Sequence, residues 1–292
     1  MLGIVGGSGL YEIPELTSKK WKRVNSEFGK PSDHLLFGRI IDQDVVFLPR
    51  HGRGHRLNPS EINYRANIDA LKQVGVSEII SISAVGSLTE KFPPGTFVLV
   101  NQFIDRTFLR RKTFYENGFV VHVSMAKPVC ERLNRIIKDI AEENSITLKT
   151  GGNYLVMEGP QFSTYAESEL YRKWGCSLIG MTNMPEAKLA REAEICYSTI
   201  AMVTDFDCWH SEHDEVTVEK VLVQMQKNII NVRKLISLVI KGQINLKSSS
   251  CKCHEALDGA VLTDPKYWEA ETLKAYNNVA GRILSKFFDS EG

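Results

Sequence analysis

IAMVTDFDCW, residues 200–209, runs four apolar residues into Thr204 and then sets Asp205 and Asp207 on either side of Phe206. An unbroken apolar run has the pattern of a strand buried on both faces, as in parallel sheets covered by helices. In extended chain, side chains at i and i+2 point the same way, so both carboxylates are expected to face one pocket. Two adjacent carboxylates resist ionising together, and one is expected to hold its proton near neutral pH. The pair then offers a donor beside an acceptor. That suits an aromatic heterocycle with an acceptor nitrogen next to an amino group, as adenine has. Taken alone, the spacing favours a strand that ends in an acidic surface turn, so the rest of the chain has to decide.

With 292 residues, 43% of them hydrophobic and 24% charged, the composition is that of a soluble globular α/β chain. A net charge of +1 and the lack of a basic block speak against nucleic acid as the main partner. Neither a secretory leader nor an apolar span long enough for a membrane is visible, so a cytoplasmic location is expected. Six cysteines, at 130, 176, 196, 208, 251 and 253, form no C-x-x-C pair and fit reduced thiols.

From the N-terminus, a short apolar strand over residues 1–5 opens into Gly6-Gly7-Ser8-Gly9, a loop able to turn backbone N–H groups and a hydroxyl toward an anion. No Gly-Lys-Ser/Thr follows it, and Glu12 stands where a dinucleotide fingerprint needs its third glycine. A hairpin over 35–48 runs into Pro49-Arg50-His51-Gly52-Arg53-Gly54-His55, whose Arg and His side chains are donors for a phosphate. A helix over 58–75 leads to a buried strand, 78–82, ending in the small residues Ser83-Ala84-Val85-Gly86-Ser87. Further strands are expected over 98–103, 154–157 and 177–179, and helices over 128–144, 166–174, 187–193, 217–241 and 265–288. Between them lie Glu158–Thr164, with Phe162 a candidate stacking ring, and Gly180–Glu186. Metal binding at Cys251-Lys252-Cys253-His254 would need a fourth ligand and lacks common zinc spacing, so none is expected. A disulfide within that motif would be strained. The polar run after residue 242 reads as a linker to a terminal helix, 243–292, packed on the 1–242 domain or on a neighbouring subunit.

The ordered series GIVGGSGLY, PRHGRGH, NYRANIDAL, SAVGSL, NQFIDRT, EGPQFST, MTNMPEA and TDFDCW resembles the 5′-methylthioadenosine phosphorylases of the purine nucleoside phosphorylase family. The resemblance runs from Met1 to about Gly242. It implies a single-domain, doubly wound mixed sheet with flanking helices, assembled as a homotrimer or a dimer of trimers. The implied reaction is phosphorolysis of methylthioadenosine to adenine and 5-methylthioribose 1-phosphate, with phosphate as co-substrate and no cofactor. By motif, Ser8, Arg50, His51, Ser83, Ala84 and Thr182 are expected to hold phosphate. Met181 is expected at the ribose, Phe162 and Phe206 with Asp205 and Asp207 at the base, and Ser163 beside them. Val218, Val221 and Leu222 are expected to take the methylthio group, and His122 to reach a neighbouring subunit's pocket. Asp205 is the expected donor to purine N7 and Asp207 the second contact. Ser8 and Ser83 stand where many relatives carry threonine, which keeps the hydroxyl. Cys251-x-Cys253 is similar to the C-terminal C-x-C of some archaeal relatives, where it accompanies disulfides.

Three other readings frame this one. A 6-oxopurine phosphorylase would want an amide donor at the base, and Asn183 is the nearest candidate. A nicotinamide enzyme would need the missing glycine. A binding protein without turnover would have little use for a phosphate cradle and a base site together.

Overall fold

The computed structural model describes residues 1–7, 9–210, 217–242 and 251–288. Its centre is β5 (Glu78–Ser87), a strand long enough to pair with β1 (Leu2–Gly6) on one edge and β11 (Cys196–Asp205) on the other, both parallel to it. Beyond β1 the sheet continues through β4 (Gln43–Pro49), β3 (Leu35–Ile40) and β2 (Thr17–Lys22). At its C-terminal end, β5 also pairs antiparallel with β10 (Leu178–Gly180), which leads to β9 (Asn153–Val156) and β7 (Gln102–Asp105). From β11 a second branch passes to β6 (Phe97–Leu99) and β8 (Leu148–Thr150). The sheet therefore forks at β5. The 98–103 strand expected from sequence is two strands, because the chain breaks at Val100–Asn101 and its halves join different branches. β2 and β8 escaped the pattern: β2, TSKKWK, is an exposed, lysine-rich edge with little apolar periodicity.

Apolar residues alternate across the strands into two cores. In β1, Leu2 and Ile4 face one core and Val5 the other. The first core packs α1 (Tyr64–Gln73), α4 (Asn183–Glu192) and α6 (Ala270–Phe288) on one face of the sheet. The second packs α2 (Glu131–Glu143) and α5 (Val218–Gly242) on the opposite face. α3 (Tyr165–Lys173), capped by a reciprocal Thr164–Glu167 pair, covers the β9–β10 branch. α1 starts at Tyr64 rather than at Asn58. The Asn58 side chain turns the chain back on itself by accepting from Ser60 N at 2.9 Å, and Asn63 is the true cap, accepting from Ala66 N at 3.1 Å. The segment after residue 250 lies on the same body: Leu257, Leu273, Tyr276, Val279 and Ile283 join the first core. Among the described residues, no helix is long and apolar enough to cross a membrane.

Candidate active site

The C-terminal ends of β1, β4, β5 and β11 point the same way, and a cavity of about 780 Å³ opens where they stop. Gly7 lines it from β1, Arg50 and His51 from β4, Ser83–Gly86 from β5, Thr204, Asp205 and Asp207 from β11, and Gly180–Thr182 from β10. Phe162 projects into it from the turn before α3 and is 44% exposed. Val218, Val221, Leu222, Met225 and Ile229 of α5 form an apolar wall.

Arg50 is held before any ligand arrives. Its guanidinium is 2% exposed and grips Glu186 in a fork, Nε to Oε2 at 2.8 Å and Nη2 to Oε1 at 2.9 Å. Nη1 donates to Ile82 O at 2.9 Å, which leaves its second hydrogen without an acceptor among the described residues. Burial works against the Arg50 charge, but Glu186 more than offsets it, and the pKa is raised. Beside it, His51 Nδ1 lies 2.8 Å from Leu57 O; a carbonyl only accepts, so Nδ1 carries the proton. Burial lowers this histidine to about 4, so the ring is neutral near pH 7, and Nε2 is an acceptor. Ser83 Oγ donates to Asn183 Oδ1 at 3.0 Å, while the Thr182 hydroxyl makes no capping bond to α4.

The two carboxylates do meet in the cavity, but not by strand alternation. β11 shifts register between Val203 and Asp205 and ends there, and Asp207 turns into the left-handed region at φ +53°. The Asp207 backbone N–H then donates to Asp205 Oδ1 at 2.8 Å, and Asp205 Oδ2 lies 2.7 Å from the Thr204 hydroxyl. Asp207 Oδ2 is buried and has no partner among the described residues. Burial raises both carboxyls above the ordinary range; for Asp207 the nearby Ser168 hydroxyl opposes this and the charge of Asp205 adds to it. Gly86 makes this approach possible: a Cβ there would stand 2.9 Å from Asp205 Oδ1 and 3.1 Å from the Ile179 side chain.

Of the remaining expected residues, Phe206 is turned from the cavity into a small core with Trp209, their rings 5.8 Å apart. Phe206 is thus packing, not cavity wall. Ser163 also stays off the wall, with its hydroxyl 3.7 Å from Met157 Sδ. His122 is exposed and is not among the residues lining this chain's own cavity; its backbone N–H donates to Ala260 O at 2.9 Å. Ser8 lies outside the described residues. Asn183 is fully buried, its amide shared among Ser81, Tyr197 and Thr199, so it does not line the cavity.

Sequence reasoning passed over two groups that hold the walls in place. Glu186 is one. Arg110, in what reads as a basic loop, is the other: it is buried and donates to Glu158 Oε1 at 3.1 Å, Met181 O at 2.5 Å and Met184 O at 2.7 Å. It thereby ties the Phe162 turn to the Met181 segment. Nothing local distinguishes it from its neighbours Arg106 and Arg111. Among the described residues, the one group of several metal-ligating side chains is a set of four cysteines outside this cavity.

The profile of the phosphorylase superfamily matches residues 1–241. The S-methyl-5′-thioadenosine phosphorylase of Rhodospirillum rubrum is 53% identical over 285 residues, covering 97% of each chain. That of Bradyrhizobium diazoefficiens is 52% identical, over 97% of this chain and 98% of the other. Among solved structures, a methylthioadenosine phosphorylase sourced from an antarctic soil metagenomic library superimposes with a TM-score of 0.90 at 42% identity, covering 95% of this chain and 98% of that one. The methylthioadenosine phosphorylase of Schistosoma mansoni in complex with adenine gives 0.82 at 40% identity, with 88% and 96% covered.

Proposed function

The chain belongs to the phosphorylase superfamily, among its S-methyl-5′-thioadenosine phosphorylases, and from that premise we infer that it catalyses reversible phosphorolysis of 5′-methylthioadenosine. The products are adenine and 5-methylthioribose 1-phosphate, which places the enzyme in purine and methionine salvage. One observation carries the assignment of roles: two buried carboxyls side by side in the wall of a cavity that also holds Arg50 and His51, with Asp207 Oδ2 unsatisfied among the described residues. Unsatisfied buried oxygens in a cavity wall await a ligand's donor, and the 6-amino group of adenine supplies it.

In this reading, phosphate sits between the free Nη1 hydrogen of Arg50, the Thr182 hydroxyl and the Ser83–Ala84 backbone, with Ser8 closing the loop side. Neutral His51 accepts the proton that phosphate still carries. A phosphate oxygen attacks C1′ as the C1′–N9 bond breaks, and its negative charge stabilises the oxocarbenium-like sugar. The bond's electron pair moves into the purine, and N7 takes a proton from Asp205. Asp207 accepts from the amino group, Met181 and Phe162 bound the sugar and base, and Val218, Val221 and Leu222 receive the methylthio group. Phosphate is consumed as co-substrate; no metal or organic cofactor enters.

Assembly as a homotrimer follows from the family resemblance and is supported by Phe108 and Leu109, 74% and 71% exposed next to Glu158 of the cavity turn. A cytoplasmic location is supported by six free thiols. The test is phosphate-dependent base release from methylthioadenosine, methylthioinosine, adenosine and inosine at equal concentration. Fast adenine release from methylthioadenosine is expected. Preference for methylthioinosine would overturn the donor–acceptor role of the two aspartates, and Asn183, turned into the core, gives that preference no support.

A further inference from the structure

The sulfurs of Cys130, Cys196, Cys251 and Cys253 all lie within 4.8 Å of one another, although they come from three separate parts of the chain. Cys130 caps the start of α2, Cys196 opens β11, and the other two flank Lys252 in a short 3-10 turn, Lys252–Glu255. All are free thiols, and three of the four are buried. We propose that these four cysteines bind one Zn(II) as a structural tetrathiolate that clips the C-terminal segment to the body of the fold.

The sulfurs are close enough to share one ion. A Zn–S bond of about 2.3 Å sets sulfur–sulfur edges of about 3.8 Å, and Cys130 Sγ lies 3.6 Å from Cys251 Sγ. The surroundings suit a doubly negative thiolate cluster. The Leu133 N–H at the positive end of α2 donates to Cys130 Sγ at 3.4 Å. Arg132 Nη2 is 3.6 Å from Cys196 Sγ, and His254 Nε2 is 3.4 Å from the same sulfur. These outer contacts place positive or donor groups around sulfur, as a bound ion's ligands require. The two sulfurs that complete the motif stand 121 and 55 or more residues upstream of the C-x-C pair, which is why local spacing could not reveal them.

The site is structural rather than catalytic. Cys196 and Asp205 occupy opposite ends of β11, roughly 30 Å apart at the usual rise per residue, and no cysteine of the cluster lines the cavity. What the ion holds is the tail. Just beyond the 3-10 turn, the Leu257 N–H donates to Glu194 Oε1 at 3.0 Å, and Val261 pairs with Val121. Binding replaces the four thiol protons with one Zn(II), so loading releases protons and weakens as pH falls.

The test is metal analysis of the full chain, expressed without a metal-binding tag and purified without chelator. About one zinc per chain is expected, released as a mercurial blocks the thiols, and exchange for cobalt should give the charge-transfer and d–d bands of a tetrahedral thiolate. Cys251→Ser and Cys253→Ser should each lower zinc content at least about tenfold, whereas Cys176→Ser, outside the cluster, should leave it unchanged. The cobalt spectrum of the unaltered chain keeps the test valid if either serine variant fails to fold. Metal-free protein, iron in place of zinc, or peptide mapping that finds disulfides among the four would each overturn the proposal.

Discussion

Asp205 and Asp207 share a wall but not an environment, and that difference separates their roles. On the proposed mechanism Asp205→Asn removes the proton that N7 receives, so kcat should fall about 10²–10⁴-fold. Asp207→Asn keeps an oxygen but adds a donor facing the amino group, so KM for the nucleoside should rise more than kcat falls. Steady-state kinetics of the two variants decide; a larger kcat loss in Asp207→Asn would exchange the assignments. Both carboxyls are raised by burial, so the acid form prevails at low pH and is lost as pH rises through the raised pKa. The alkaline limb of the kcat profile should therefore flatten in Asp205→Asn. Gly86→Ala would push a methyl group against Asp205 Oδ1 and Ile179, and base binding should weaken about tenfold or more, read as KM. The aspartates were legible in the sequence as two carboxylates at the end of an apolar strand, but the left-handed turn at Asp207 that brings them together was not. Gly86 was visible only as one of several small residues, since its neighbours β10 and β11 arrive from about 90 to 120 residues downstream.

The elements are legible where apolar periodicity is strong, as in β5, β11, α2 and α5, and blurred where partners decide. β2, β8 and the break between β6 and β7 depend on which strand lies alongside, which periodicity does not encode. Arg110 belongs to this class, tying together three segments that meet only in the fold. Replacing it by Met would leave the buried Glu158 carboxylate with neutral donors only, those of Ser60, Phe108 and Leu109, and chemical denaturation should show a loss of about 3 kcal/mol. α4 offers a different test. Its Glu192 is buried, accepts the Phe114 N–H at 2.8 Å, and is lifted by burial from the ordinary 4.5 to about 7. The folded state thus holds the proton more tightly than the unfolded chain. Stability is complete below the ordinary value and is lost as pH rises through about 7, by at most about 3 kcal/mol. Glu192→Gln should keep the hydrogen bond and abolish this loss. Melting temperatures at about pH 5 and about pH 8 should diverge in the parent chain and converge in the variant.

At the scale of the molecule, the tail is part of the body. Leu257, Leu273, Tyr276, Val279, Ala280, Ile283 and Leu284 all lie in the first core. At about 1.5–3 kcal/mol for each large apolar side chain buried, their removal costs on the order of 10 kcal/mol, comparable to the whole stability of a domain. A chain ending at Gly242 should therefore be insoluble on expression, and a soluble, cooperatively melting product would refute that. The motif series legible in the sequence stops near residue 242 and the pattern there reads as a linker, so only the fold reveals how the tail is used. The Arg50–Glu186 pair has its own consequence at this scale. It cancels the charge of the guanidinium, His51 is neutral, and Arg56 and Glu61 on the same wall are of opposite sign. Among the described residues, the formal charges at the proposed phosphate end of the cavity thus nearly cancel, on a chain whose net charge is only +1. On the proposed function, phosphate should be chosen by donor geometry after arrival rather than drawn in by long-range attraction. Its capture rate should scarcely respond to ionic strength, and other tetrahedral oxyanions, sulfate above all, should compete with it according to shape and protonation.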